Sequence, residues 1–228
     1  MDHENSMEQA KDRILDAAML HAPFDGWSET TLRSALTDSE VASGLGRALY
    51  PRGGIDLAVA YHQRGDRAMQ MALTQTDLGT MRIRERITHA VRLRIELGDK
   101  ELVRRGSALF GLPSHAIEGS RLIWGTADAI WTALHDTSRD MNWYTKRATL
   151  SAVYAATVLF WLGDTSDGDQ ATWEFLDRRI ENVMQIEKAK AGMRANPIGK
   201  ALINGPFKVF DKIRAPQMPD DLPGRTGF

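Results

Sequence analysis

The side chains of this sequence best suited to bind a metal or move a proton are its six histidines, His3, His21, His62, His89, His115 and His135. Helical di-iron sites draw ligands from Glu-x-x-His pairs projected inward, and none of the six has a glutamate three residues before it. The absence of cysteine removes a thiolate metal site, a cysteine nucleophile and any disulfide framework. There is no His-Glu-x-x-His, Gly-x-Ser-x-Gly, phosphate-binding loop or Gly-x-Gly-x-x-Gly, and Gly44-Leu45-Gly46 falls inside a predicted helix with no strand before it. Arg82, Arg84, Arg86, Arg92 and Arg94 could hold a phosphate, but Glu85, Glu96, Asp99 and Glu101 balance them, which favours a solvated helix face. Isolated histidines are more often surface or satisfied core groups than ligands. No catalytic residue, metal ligand or cofactor is expected.

The elements that must position any site are helices. Apolar residues recur at spacings of three and four: Ile117, Trp124, Ala127, Trp131 and Leu134 share one face, as do Trp173, Leu176, Ile180 and Val183. No alternating strand pattern stands out. Gly, Pro, Asp and Asn clusters divide the chain into about ten helices, near 8–21, 29–37, 39–49, 54–74, 78–97, 99–109, 114–135, 143–162, 170–190 and 198–214. With 43% hydrophobic and 26% charged residues in 228, the composition is that of a globular chain with a sizeable core. The longest charge-free stretch, Ala148 to Gly163, is shorter than the roughly 20 apolar residues of a membrane span, and reads as a helix buried on all sides. The polar, acidic start lacks the pattern of a secretory signal, so a cytoplasmic location is the default.

The first three helices have helix-turn-helix spacing, and Ala48 to His62 follows as a tight turn and a long helix, resembling the start of TetR-type regulators. A recognition helix docks on DNA through Lys and Arg contacts to phosphate. Here the charges from Ser28 to Arg64 cancel, Arg33, Arg47, Arg52 and Arg64 against Glu29, Asp38, Glu40 and Asp56. A DNA-reading head would carry basic excess. A transcriptional regulator with an apolar effector nevertheless stays open as the alternative.

Charge is unevenly spread. From Lys188 to the end, eight cations face three acids, so this segment carries +5 and the rest of a chain of net charge −1 carries −6. Ile198, Leu202, Ile203, Phe207, Phe210 and Ile213 form an apolar stripe, with Lys200, Lys208, Lys212 and Arg214 off it. That is the pattern of a helix lying in a lipid interface, although Gly205-Pro206 interrupts it. Docking of this helix on a partner copy is the other reading. The Pro- and Gly-rich tail from Pro216 is expected to be disordered.

From Gly125 to Met184 runs a distinctive order: Asp128, Trp131, a polar loop from His135 to Arg139, then DMNWYTKRATLSAVYAATVLFWLGD and TWEFLDRRIENVM. This resembles the lipid-binding "coenzyme Q nine" family of ubiquinone-biosynthesis accessory proteins. The resemblance implies an all-α, TetR-like homodimer that has lost DNA binding and holds isoprenoid or other lipids in its C-terminal half. It implies a role in presenting polyprenylated quinone precursors to the di-iron demethoxyubiquinone hydroxylase, peripherally on the inner membrane of a bacterium. The family's partner-binding patch maps to Asp140, Asn142, Trp143 and Tyr144, where rigid aromatics suit an interface hot spot. From the residues themselves, Asn142 could equally cap a helix and Trp143 pack inward. A polyprenyl tail needs a long apolar cavity, and the large side chains of the two most apolar helices are candidate lining: Trp124, Ile130, Trp131, Leu150, Val153, Tyr154, Val158, Phe160 and Trp161. The expected organisation is a disordered start (1–6), a helix-turn-helix-like head (7–65), a lipid-binding and dimerisation domain (66–192), a membrane helix (193–215) and a disordered tail (216–228).

Overall fold

The computed structural model describes residues 2–139 and 141–195. Nine α-helices and one 3-10 turn make up these residues, with no strand among them. The helices are α1 (Asp2–Asp25), α2 (Glu29–Asp38), α3 (Ser43–Leu49), α4 (Gly54–Thr74), α5 (Ile83–Glu96), α6 (Lys100–Phe110), α7 (Ala116–Ala133), α8 (Met141–Gly163) and α9 (Gln170–Ala195); Asp167–Asp169 form the 3-10 turn. The predicted helix at 198–214, the residues of the membrane stripe and the tail from 216 lie outside the described residues.

Local chemistry accounts for most boundaries. Ser28 Oγ accepts the Thr31 N–H at 3.2 Å to start α2, and the Asp99 carboxylate accepts the Glu101 and Leu102 N–H groups at 2.9 Å to start α6. The predicted helix at 39–49 begins at Ser43 instead, because Glu40 takes a positive φ of 55° and breaks the run. The one predicted from 78 begins at Ile83: Asp77 folds back to accept the Gly79 N–H at 2.9 Å, and the Glu85 carboxylate caps the Arg82 N–H at 2.8 Å. In the opposite sense, α1 starts at Asp2, so the backbone of residues 2–6, expected to be disordered, is helical.

Two apolar clusters hold the molecule together. One, built on Ile14, Leu15, Leu32, Leu36, Tyr50 and Leu57, packs α1 to α4 into the head and recruits Leu102 from α6. The other, built on Met69, Val91, Ile130, Trp131, Leu150, Tyr154, Trp161 and Leu176, packs the later half of α4 with α5, α7, α8 and α9. α4 therefore belongs to both. Its start is tightly fitted, since a Cβ on Gly54 would lie 2.4 Å from the backbone of Trp27 and Ser28. Backbone cannot move aside as a side-chain tip can, so Gly54→Ala is expected to lower unfolding free energy by about 1–3 kcal/mol, read from the urea midpoint.

α8 departs from its expected complete burial. Its inner positions Leu150, Val153, Tyr154, Thr157 and Trp161 are buried, but Ala148, Ala152, Leu159, Phe160 and Gly163 are exposed. None of the described helices is long and apolar enough to cross a membrane.

Candidate functional site

A cavity of 320 Å³ lies on the seam between the two clusters. The head contributes Trp27, and α4 contributes Ala58, Tyr61 and His62; α6 and α7 add Gly106, Ser107, Phe110, Gly119, Leu122 and Ile123, and α8 adds Tyr154, Ala155, Val158 and Leu159. The small residues among these, Ala58, Gly106, Ser107, Gly119 and Ala155, leave volume between the helices that the larger lining side chains do not fill. Trp27 is locked in the wall by donating its indole N–H to Leu102 O at 3.1 Å, and its ring lies 5.3 Å from Tyr61.

His62 and Arg94 of the wall belong to one network with Asp66 and Thr126. Arg94, whose side chain is only 5% exposed, donates through Nε to Asp66 at 2.7 Å and through a terminal nitrogen to His62 O at 2.9 Å. Gly65 makes room for it, since a Cβ there would stand 2.6 Å from the guanidinium. The Thr126 hydroxyl donates to Asp66 at 2.9 Å, which leaves its lone pairs for His62 Nε2 at 2.8 Å. Burial, with a further contribution from the Arg94 charge and against the opposing pull of Asp66, pushes His62 down to about 4. The imidazole is therefore neutral at physiological pH. Burial also raises the Tyr154 and Tyr61 phenols, which stay protonated and able to donate. The cavity thus has apolar walls with neutral phenol and imidazole groups and a compensated guanidinium at one side, an arrangement for a ligand with a small polar group on an apolar body. Among the described residues, no three His, Asp or Glu side chains converge as a metal site.

The lining differs from the one predicted. Tyr154 and Val158 reach the cavity; Trp124, Ile130, Trp131, Leu150, Val153, Phe160 and Trp161 do not. Ile130, Trp131, Leu150, Val153 and Trp161 fill the body core instead. Phe160 stacks on Phe175 with ring centroids 4.6 Å apart, and Trp124 packs against Trp143 at 6.1 Å. Large side chains consume volume and so fill the core, whereas a void is left where small residues meet. The signal that would have found the cavity is the small-residue content of α6 and α7, at Gly106, Ser107, Ala116, Gly119 and Ser120. Arg94 likewise leaves the solvated face assigned to its run. Its neighbours Arg92 and Arg84 pair with Glu96 and Glu181, but Arg94 turns inward to a carboxylate on α4.

At the start of α8, Trp143 and Tyr144 are half-buried and meet edge to face at 4.8 Å, while Asn142 is exposed in the first turn. The helix begins at Met141, so Asn142 stands inside it and not at its cap. Asp140 lies outside the described residues. The Trp143 ring is held from below by Arg147, whose guanidinium sits 4.0 Å from the ring centroid and bonds Asp128 at 2.5 Å. Arg147 also reaches Asp136 at 3.3 Å, and Lys146 reaches it at 2.7 Å. Burial raises the Asp136 carboxyl, but hydrogen bonds from Lys146 and Ser138 outweigh this and hold it below its ordinary value. The indole and phenol are thereby fixed as one rigid aromatic edge.

Residues 116–187 match the COQ9 family model. That segment runs from the first residue of α7 into α9 and contains both Tyr154 of the cavity and the whole Trp143 edge. Over 195 residues the chain is 30% identical to the ubiquinone biosynthesis protein COQ9, mitochondrial, of Drosophila melanogaster, covering 81% of this chain and 60% of the fly protein. It is 28% identical over 212 residues to the Homo sapiens protein of the same description, covering 88% of this chain and 65% of the human one. The chain thus spans less than two thirds of the length of these COQ9 relatives. In fold it is similar to a TetR transcriptional regulator from Nitrosomonas europaea, with a TM-score of 0.61 at 19% identity over 75% of this chain and 95% of that one. The fold is all-α and TetR-like, as the spacing of the first helices predicts, and the resemblance to COQ9 read from 125–184 holds.

Proposed function

We propose that this chain is an accessory protein of ubiquinone biosynthesis that takes an apolar quinone precursor into the cavity between head and body. The observation that carries this reading is the apolar cavity with phenol, imidazole and guanidinium groups on one wall, taken with the names of the COQ9 relatives. At about 30 Å³ per water-sized group, 320 Å³ has room for roughly ten such groups, about the size of a substituted ring without its tail. The rest of a polyprenyl chain has to leave through the mouth. The role is physical and not catalytic: the chain shields the ligand's apolar part from water and orients its ring. Presentation to demethoxyubiquinone hydroxylase would use the Trp143 and Tyr144 edge, with Asp140 and Asn142 beside it. A homodimer peripheral on a membrane, with the stripe from Ile198 to Ile213 as anchor, completes the proposal. A DNA-reading regulator draws on the fold alone, and α3 argues against it, since its one cation, Arg47, is tied to Glu29 at 2.7 Å.

Gly106→Leu tests the cavity. A Cβ at Gly106 meets only Trp27, at an ordinary 3.7 Å, so the branched side chain extends into the space without a backbone clash. Replacing a mid-helix glycine also gains up to about 0.8 kcal/mol of helix propensity. The expected outcome is an unchanged or raised Tm together with loss of lipid from the organic extract of the purified protein, read by mass spectrometry. Equal lipid content in parent and variant would count against the cavity as the binding site.

A further inference from the structure

We propose that the α6–α7 turn and the exposed edge of α8 form an apolar collar that seats the mouth of the cavity on a lipid bilayer, through Leu112, Ile117 and Leu159. This rests on the cavity reading above. Leu159 lines the cavity and is also 67% exposed, so it stands where the space opens outward. Leu112 and Ile117, 50% and 71% exposed, directly follow the lining residues Gly111 and Ala116 in the chain. Three large apolar side chains exposed on or beside the residues that line an apolar cavity mark a binding surface.

The surroundings favour a lipid surface as the occupant. From Gly111 to Arg121 the sole acid is Glu118, and Arg52 grips its carboxylate with both terminal nitrogens, at 2.8 and 2.9 Å. Arg121 is exposed in the same segment. The tip therefore presents apolar side chains and a cation with its carboxylate neutralised, which suits the interface of an anionic bilayer. The cavity's size adds an independent reason. A tail too long for 320 Å³ stays solvated by hydrocarbon only if the mouth abuts the bilayer, so the ring can enter while the tail remains in lipid.

The test compares the full chain with a Leu112→Ser, Ile117→Ser, Leu159→Ser triple variant. Flotation with phosphatidylcholine–phosphatidylglycerol vesicles is measured at low salt and at high salt, where the screening length falls to about 3 Å and the basic C-terminal segment contributes little. The variant is expected to bind about tenfold more weakly at high salt, with an unchanged Tm because the three side chains are exposed. Met71→Ser, 62% exposed but about 14 Å further along α4 than His62, should bind like the parent. Equal flotation of triple variant and parent at high salt overturns the proposal. So does a change of sedimentation mass with unaltered vesicle binding, which assigns the collar to a second copy of the chain. Quenching of tryptophan fluorescence by a soluble tail-free quinone separates the two readings. Quenching retained in a Leu112→Ser, Ile117→Ser double variant, whose cavity lining is intact, alongside weaker flotation supports both, whereas no quenching in the parent alongside weaker flotation supports the collar and removes the cavity reading.

Discussion

Arg94→Met is expected to lower the unfolding free energy by about 3–5 kcal/mol, the range for breaking a buried ion pair from one side. The methionine fills similar space, so the loss comes from what Arg94 leaves behind. Asp66, with a side chain 14% exposed, keeps its charge but loses a donor at 2.7 Å, and the carbonyl of His62 loses one at 2.9 Å. In a chain of this size the Tm should fall by about 10 °C. Arg94→Lys should recover only part, because one ammonium cannot serve two acceptors that a planar fork reaches in different directions. Combining Arg94→Met with Asp66→Leu should cost less than the sum of the two changes, since no charge is then stranded. Additive losses in urea titrations would show that the pair contributes nothing as a pair.

The second large effect is a pH dependence centred on His62. Its folded value of about 4 lies below the usual imidazole value of 6.5, so between these limits the unfolded chain binds the extra proton. The stabilisation is therefore complete above about pH 6.5 and is lost as pH falls toward 4. About 2 kcal/mol should disappear between about pH 8 and about pH 5, and on the order of 3 kcal/mol in full. His62→Gln can still meet the Thr126 hydroxyl but takes up no proton. Its urea midpoint should change less over that interval than the parent's, by the same 2 kcal/mol or so. Parallel curves for the two proteins would mean that protonation of His62 is not what destabilises the fold in acid.

Both effects come from residues whose type was plain in the sequence and whose role was not. His62 had no ligand spacing, and being a satisfied core group was the ordinary expectation; the network of Thr126, Asp66 and Arg94 bears this out through two other helices. Arg94 lies in a run of five arginines balanced by local acids, and a shift of two positions along α5 separates it, buried, from the exposed Arg92. The body core shows what periodicity can reach. Ala127, Trp131 and Leu134 of one stripe and Leu176 and Ile180 of the other point inward as their spacing predicts, whereas Ile117, at the start of the first, is 71% exposed and Trp124 packs on Trp143. The same reasoning failed for the cavity, because a stripe of large side chains tells where helices touch, and a cavity forms where they do not.

The sequence by itself determined the helical class, the order and approximate limits of the described helices, and the likeness of residues 125–184 to the COQ9 proteins, because helix periodicity, capping residues and motif order are local properties of the chain. Only the tertiary structure decided that Trp27 of the head, small residues of α6 and α7 and Tyr154 and Leu159 of α8 enclose one space, and that Arg94 is buried against Asp66. These residues are up to 132 positions apart. Their meeting depends on how two cores pack along α4, and void volume at that seam is a property of the packed helices together, carried by no single segment.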